Sequence, residues 1–134
     1  LEQLARLLLS AKNDITRIKY FTARVSARPN DLDQPNRQQL YLRALGTLPK
    51  VEVHYGHYLT HEVRMPLASP APGSPRYATV IKTEEKGSDV NLATHLVADG
   101  YENTFDAAAL ITNDSDLLEP VRLYGVVSRR RLGF

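Results

Sequence analysis

Two hydrophobic periods run through this chain, one helical and one alternating, and they trade places several times. Residues 1–11, LEQLARLLLSA, set Leu1, Leu4, Ala5 and Leu8 at helical spacing, which predicts a helix with one buried stripe. DITRIKYFTARV (14–25) is rich in β-branched and aromatic residues and predicts a strand. A polar loop with Pro and Asn, ARPNDLDQPNRQ, follows. Leu40, Tyr41, Ala44, Leu45 and Leu48 then mark a second helix, weakened by Gly46 and closed by Pro49. KVEVHYG (50–56) alternates Val51, Val53 and Tyr55 and predicts a strand.

From about residue 57 to 86 the pattern changes. YLTHEVRMPL and YATVIKTEEK both read as extended, and ASPAPGSPR between them carries Pro70, Pro72, Pro75 and Gly73. This predicts a β-hairpin arm with a turn at its tip. Val90, Ala93, Leu96 and Val97 then fall at helical spacing after Ser88, a candidate N-cap, and before Gly100. FDAAALIT (105–112) is a nearly continuous apolar run, as expected of a parallel strand covered on both faces. A last helix is expected from about Leu117 to Tyr124.

Strands alternating with helices predict a three-layer α/β/α, Rossmann-like fold with a mainly parallel sheet and the hairpin arm inserted in it. The 134 residues suit one domain, 1–134, and 43% hydrophobic with 24% charged residues suits a globular core. No cysteine is present, which excludes a disulfide framework, a thiolate zinc site and a cysteine nucleophile, and fits a cytoplasmic setting. No apolar run approaches the ~18 residues of a membrane span. A net charge of +2 permits nucleic-acid binding without arguing for it.

The chemistry concentrates in LITNDSDLLEP (110–120). Here an apolar segment stops and Asn113, Asp114 and Asp116 follow at once. Ligands of open α/β sheets bind beyond the carboxyl ends of the strands. Asp89, at the start of the preceding helix, would open toward the same edge if the strand before it were parallel. Three converging carboxylates repel one another unless a cation sits among them. Hard oxygen ligands suit Mg²⁺ or Mn²⁺, and such a site can drive an in-line phosphoryl displacement. Helix capping explains the same residues equally simply: Asp116-Leu-Leu-Glu119 resembles a capping box, and Asp89 favours a helix N-terminus. Both readings stay open on spacing. Asp106, early in its strand, is expected to be structural.

Elsewhere the signals are negative. His54, His57, His61 and His95 form no HExxH pattern, and His95 reads as a surface or packing residue. Ser115 has no base partner and no GxSxG elbow. Neither GxGxxG nor a Walker motif is present.

The paired stretches EEKGSDVNLATHLVADG and DAAALITNDSDLLEPVR resemble the NYN domain family, LabA-like members of the PIN-like ribonuclease superfamily. IKYFTARV, the Pro-Asn loop, NRQQLYLRAL and the hairpin arm extend the resemblance over about residues 1–124. It implies a Rossmann-like sheet with Asp89, Asp114 and Asp116 as the catalytic and metal-binding positions. Asn113 and Ser115 would shape their loop, with Lys86 and Asn91 near a substrate phosphate. The family opens with a strand carrying D-G-x-N and continues to a further strand after the region of Tyr124. The chain lacks that motif and ends GVVSRRRLGF, so it is expected to lack both strands, as a fragment or a degenerate member.

The expectation is therefore a Mg²⁺- or Mn²⁺-dependent ribonuclease acting on single-stranded RNA. Lys86, Asn91, Asn113, Ser115, Arg24, Arg28 and Arg37 are its substrate contacts, and a homo-oligomer would form through the arm. The alternative is a catalytically weak RNA-binding or regulatory scaffold of the same fold. A phospho-aspartate phosphatase, using Asp114-Ser-Asp116 as a D-x-D motif, is a third reading.

Overall fold

The computed structural model describes residues 1–128 and 131–133, with side chains described as far as residue 123. It is an α/β structure with four helices, a small three-stranded mixed sheet and a separate two-stranded sheet.

Strands β1 (Ile18–Ala23) and β2 (Val51–Pro66) pair in parallel, from Ile18 opposite Val51 to Ala23 opposite Gly56. At that point β2 changes partner. From His57 onward it pairs antiparallel with β3 (Tyr77–Lys86), His57 lying opposite Lys86 and Pro66 opposite Tyr77. One unbroken strand thus serves the sheet body with its first half and the hairpin with its second. Thr60 and Thr83 face each other in that ladder, their hydroxyls 3.0 Å apart. The turn of the hairpin uses Gly73 at φ 78°, in the left-handed region that glycine occupies without strain.

Helix α2 (Gln34–Gly46) starts six residues before the first residue of its apolar stripe, inside what reads as loop. The start signals are local: Asp33 holds the N-cap position and Pro35 sits in the first turn, where a missing N–H does no harm. Its Leu42 and Leu45 are buried, and Tyr41 meets Tyr20 of β1 edge-on at 6.2 Å. At the other end Thr47 Oγ1 donates to the Ala44 carbonyl. Helix α3 (Ser88–Tyr101) packs against β1, β2 and helix α4 (Leu118–Ser128).

Between α3 and the sheet lies a polar contact. Lys19 Nζ donates to Asp99 at 2.5 Å and lies 3.1 Å from His95 Nδ1. The His54 and His95 rings are 4.2 Å apart, and Phe21 stacks on His54 at 5.0 Å. His95 is thus a packing residue.

Three expectations need correction. Helix α1 (Glu2–Leu8) buries none of its residues, and Leu8 of the expected stripe is 62% exposed; an apolar stripe stays open where nothing is laid over it. The apolar run at 105–112 yields only the short strand β4 (Ala107–Ala109), and Ile111 is exposed. Strand β4 pairs in parallel with β5 (Arg131–Gly133), and among the described residues neither is hydrogen-bonded to the larger sheet. With one neighbour instead of two, β4 is not covered as a central strand would be. The sheet is also less parallel than the alternation implied, because β3 returns antiparallel.

The core is correspondingly thin. Among the described residues Ile15, Ala23, Leu42, Leu45, Leu96, Leu117 and Val121 are buried, and none is hidden completely. The chain exposes 10413 Å², against about 7,000 Å² for a compact protein of this mass.

Candidate functional site

The acidic cleft is assembled by the change of partner in β2. Because β3 runs back along β2 and ends at Lys86 opposite His57, the next helix begins beside Gly56, where parallel pairing stops. Asp89 therefore reaches the carboxyl edge of β1 and β2 although the strand before it is antiparallel, not parallel as supposed. Gly87 turns the chain at φ 96° and holds the N-cap position expected of Ser88. Glu85 Oε1 accepts the Ser88 N–H at 3.2 Å, so a carboxylate from β3 closes the helix end.

The second wall comes from the segment after β4. Asp114 caps the 3-10 turn Ser115–Leu117, its Oδ1 accepting the Asp116 N–H at 2.9 Å. The capping residue is thus Asp114, and the Asp116–Glu119 box does not form; Glu119 instead lies 3.7 Å from Arg122. Buried Leu117 anchors the turn.

The two walls enclose a cleft of about 340 Å³ lined by Glu85, Lys86, Gly87, Asp89, Asp114 and Asp116, with Val90, Ala93, Leu117 and Pro120. The Asp89 carboxyl is raised above the ordinary aspartate range. Partial burial contributes most, then the Asp114 charge, the Glu85 charge, a hydrogen bond to Asp114 and the Asp116 charge. Lys86 Nζ lies 3.6 Å from Glu84 at the margin.

The remaining expected residues scatter. Asn91 Nδ2 donates to the Tyr55 carbonyl at 3.3 Å and ties α3 to β2. Asn113 is exposed and does not line the cleft. Ser115 contributes its carbonyl to the turn. Arg24 lies over the Tyr55 ring at 4.8 Å, in a different cleft. Arg28 bridges to Asp31 through its backbone. Arg37 is held by Asp31 at 2.6 Å and 3.0 Å, with Asp33 at 3.7 Å. Glu85 was missed; its place three residues before a helix start was the available signal.

Among the described residues no group of three or more His, Cys, Asp or Glu side chains is placed to hold a metal ion. Asp89 and Asp114 line the same cleft, and the Asp114 charge adds to the raising of the Asp89 carboxyl.

No family model and no solved structure matches the chain. The chain is similar to the protein named 6-hydroxy-3-succinoylpyridine 3-monooxygenase HspA of Pseudomonas putida. The two are 32% identical over 126 residues, which covers 87% of this chain and 40% of that protein. The chain thus spans about two fifths of the length of the curated relative it matches. The relative's name overturns the expected function: it describes an oxygenase, not a ribonuclease, a hydrolase or an RNA-binding scaffold. No helix among the described residues is long and apolar enough to cross a membrane.

Proposed function

We propose that this chain is part of an oxidoreductase of the monooxygenase type, and that its acidic cleft handles protons for hydroxylation of a hydroxylated heteroaromatic acid. The proposal rests on the similarity to a 6-hydroxy-3-succinoylpyridine 3-monooxygenase, together with the clustering of Glu85, Asp89, Asp114 and Asp116 in one cleft.

Placing an oxygen atom on the ring carbon that carries an acyl chain leaves that carbon with no proton to lose; the ring regains aromaticity when water takes off the acyl group as the acid, giving up a proton as it attacks. A ring hydroxyl assists by giving up its own proton as oxygen is added. Both steps need a group that accepts a proton near neutral pH. An ionised Asp89 beside Asp114 is a stronger base than an isolated aspartate, because the proton it takes relieves the repulsion between them. Glu85 and Asp116 add to that drive. Asp114 is fixed by the Asp116 N–H, so the carboxylate beside the acceptor is oriented before substrate arrives.

A monooxygenase also draws two electrons from a reduced flavin or nicotinamide to turn the second oxygen atom into water. Four carboxylates repel the phosphates of such a group, so the acidic cleft does not suit it.

The fold reading that goes with this proposal is a PIN-like, three-layer arrangement of NYN type. It is supported by Tyr20 meeting α2 while its neighbour Phe21 meets His95 of α3. The test is oxygen uptake by the full protein with 6-hydroxy-3-succinoylpyridine, NADH and added FAD or FMN. The expected product is an intact dihydroxypyridine freed of its succinoyl chain, and Asp89→Asn lowers kcat roughly a hundredfold. Absence of oxygen uptake across a panel of hydroxypyridine acids refutes the proposal.

A further inference from the structure

A second cleft opens at the same strand ends. The backbone that leaves β1 at Ala23 is clamped by α2: Gln38 Nε2 donates to the Ala23 carbonyl at 2.8 Å, and Gln38 Oε1 accepts the Val25 N–H at 2.9 Å. This clamp turns Arg24 onto the Tyr55 ring. Between the strand exit and α2 lies a cavity of about 330 Å³ lined by Arg24, Val25, Pro35, Leu42, Arg43 and Tyr55, with Gln38 and Gln39. That size suits a small organic ligand.

The two arginines are placed alike electrically. Arg37, on the same helix as Arg43, is neutralised by Asp31 and Asp33, whereas neither Arg24 nor Arg43 forms an ion pair among the described residues. The face of the Arg24 guanidinium rests on Tyr55, so its N–H groups, which point outward in the guanidinium plane, stay free. A planar carboxylate matches that fork with two parallel hydrogen bonds. Val25, Pro35 and buried Leu42 supply an apolar wall that a bare inorganic anion would leave uncovered.

We infer that this cleft binds the carboxylate of a small aromatic or heteroaromatic acid, with Arg24 and Arg43 pairing the charge and the apolar wall taking the ring. The ligand class rests on the oxygenase reading above; the site itself rests on its cations and its wall. Tyr55 and Gly56 separate this basic cleft from the acidic one, since Tyr55 lines the first and Gly56 backs the second. The acid-holding and proton-handling halves of a substrate site would then flank one strand end.

The test is direct binding to the full protein, followed by calorimetry and by backbone amide NMR. The probes are nicotinate, its neutral counterpart nicotinamide, and inorganic phosphate. Nicotinate is expected to shift the amides of Val25 and Gln39 and to bind more tightly than the other two. Arg24→Gln and Arg43→Gln each weaken it roughly tenfold or more. Arg122→Gln, a charge change on α4, leaves binding unchanged. Equal binding of nicotinamide or phosphate, or undiminished binding by Arg43→Gln, overturns the inference. Nicotinate binding as described without oxygenase turnover refutes the proposed function and leaves this site standing. Turnover without such binding does the reverse.

Discussion

Gly56 of β2 lies against the backbone at Lys86 so closely that a methyl group on it would sit 2.5 Å from the Lys86 carbonyl oxygen and 3.0 Å from the Ser88 nitrogen. Both obstacles are backbone, and they border the acidic cleft. Gly56→Ala is therefore expected to destabilise the fold by about 1–3 kcal/mol and to displace the start of α3. Urea denaturation checks the first effect. A kcat that falls more than KM rises checks the second, because the displaced group is the proton acceptor.

Asp89 links function and stability in opposite senses. Its folded pKa is raised, so ionising it opposes folding, and that penalty is present above the folded value and vanishes below the ordinary aspartate range. Asp89→Asn is expected to raise the melting temperature at neutral pH, to leave it unchanged in strong acid, and to abolish most turnover. A variant that melts lower than wild type at pH 7 would contradict the repulsion described.

The Lys19–Asp99 pair carries the junction between β1 and α3, with side chains only 13% and 17% exposed. Removing one partner leaves the other charge half-buried beside aromatic rings. Asp99→Asn is expected to cost roughly 2–4 kcal/mol. The double variant Lys19→Met/Asp99→Leu should recover much of this, a non-additivity that equilibrium unfolding resolves.

His95 gives the same junction a pH dependence. Burial lowers its pKa, and the Lys19 and His54 charges lower it further, outweighing Asp99 and Glu52. The stability due to neutral His95 is complete above the ordinary imidazole value of about 6.5 and is lost as pH falls through the depressed folded value. Melting temperatures between about pH 5 and 7.5 should decline toward acid in wild type, and less steeply in His95→Gln.

Much of the element order was legible because it rests on local signals. The alternation of Val51, Val53 and Tyr55, the prolines at the hairpin tip and Gly100 near the end of α3 all act over a few residues. What misled was burial. AAALI reads as a covered strand because apolar runs usually have neighbours on both sides, and β4 has one. The acidic cleft was legible as a set of residues, since Asp89, Asp114 and Asp116 do line one cavity. Its chemistry was not, because proton transfer and cation binding call for the same residue types. Arg43 gave no signal, since only the tertiary contact of α2 with the strand exit distinguishes it from any exposed helical arginine.

The continuity of β2 has a mechanical consequence. Its 16 residues extend about 50 Å, and the strand carries no glycine or proline between Gly56 and its last residue. The tip of the hairpin and the wall between the two clefts are therefore ends of one stiff beam. A load applied near Pro66 travels along paired backbone to Gly56, whose close contact with the Lys86 and Ser88 backbone leaves it no room to bend.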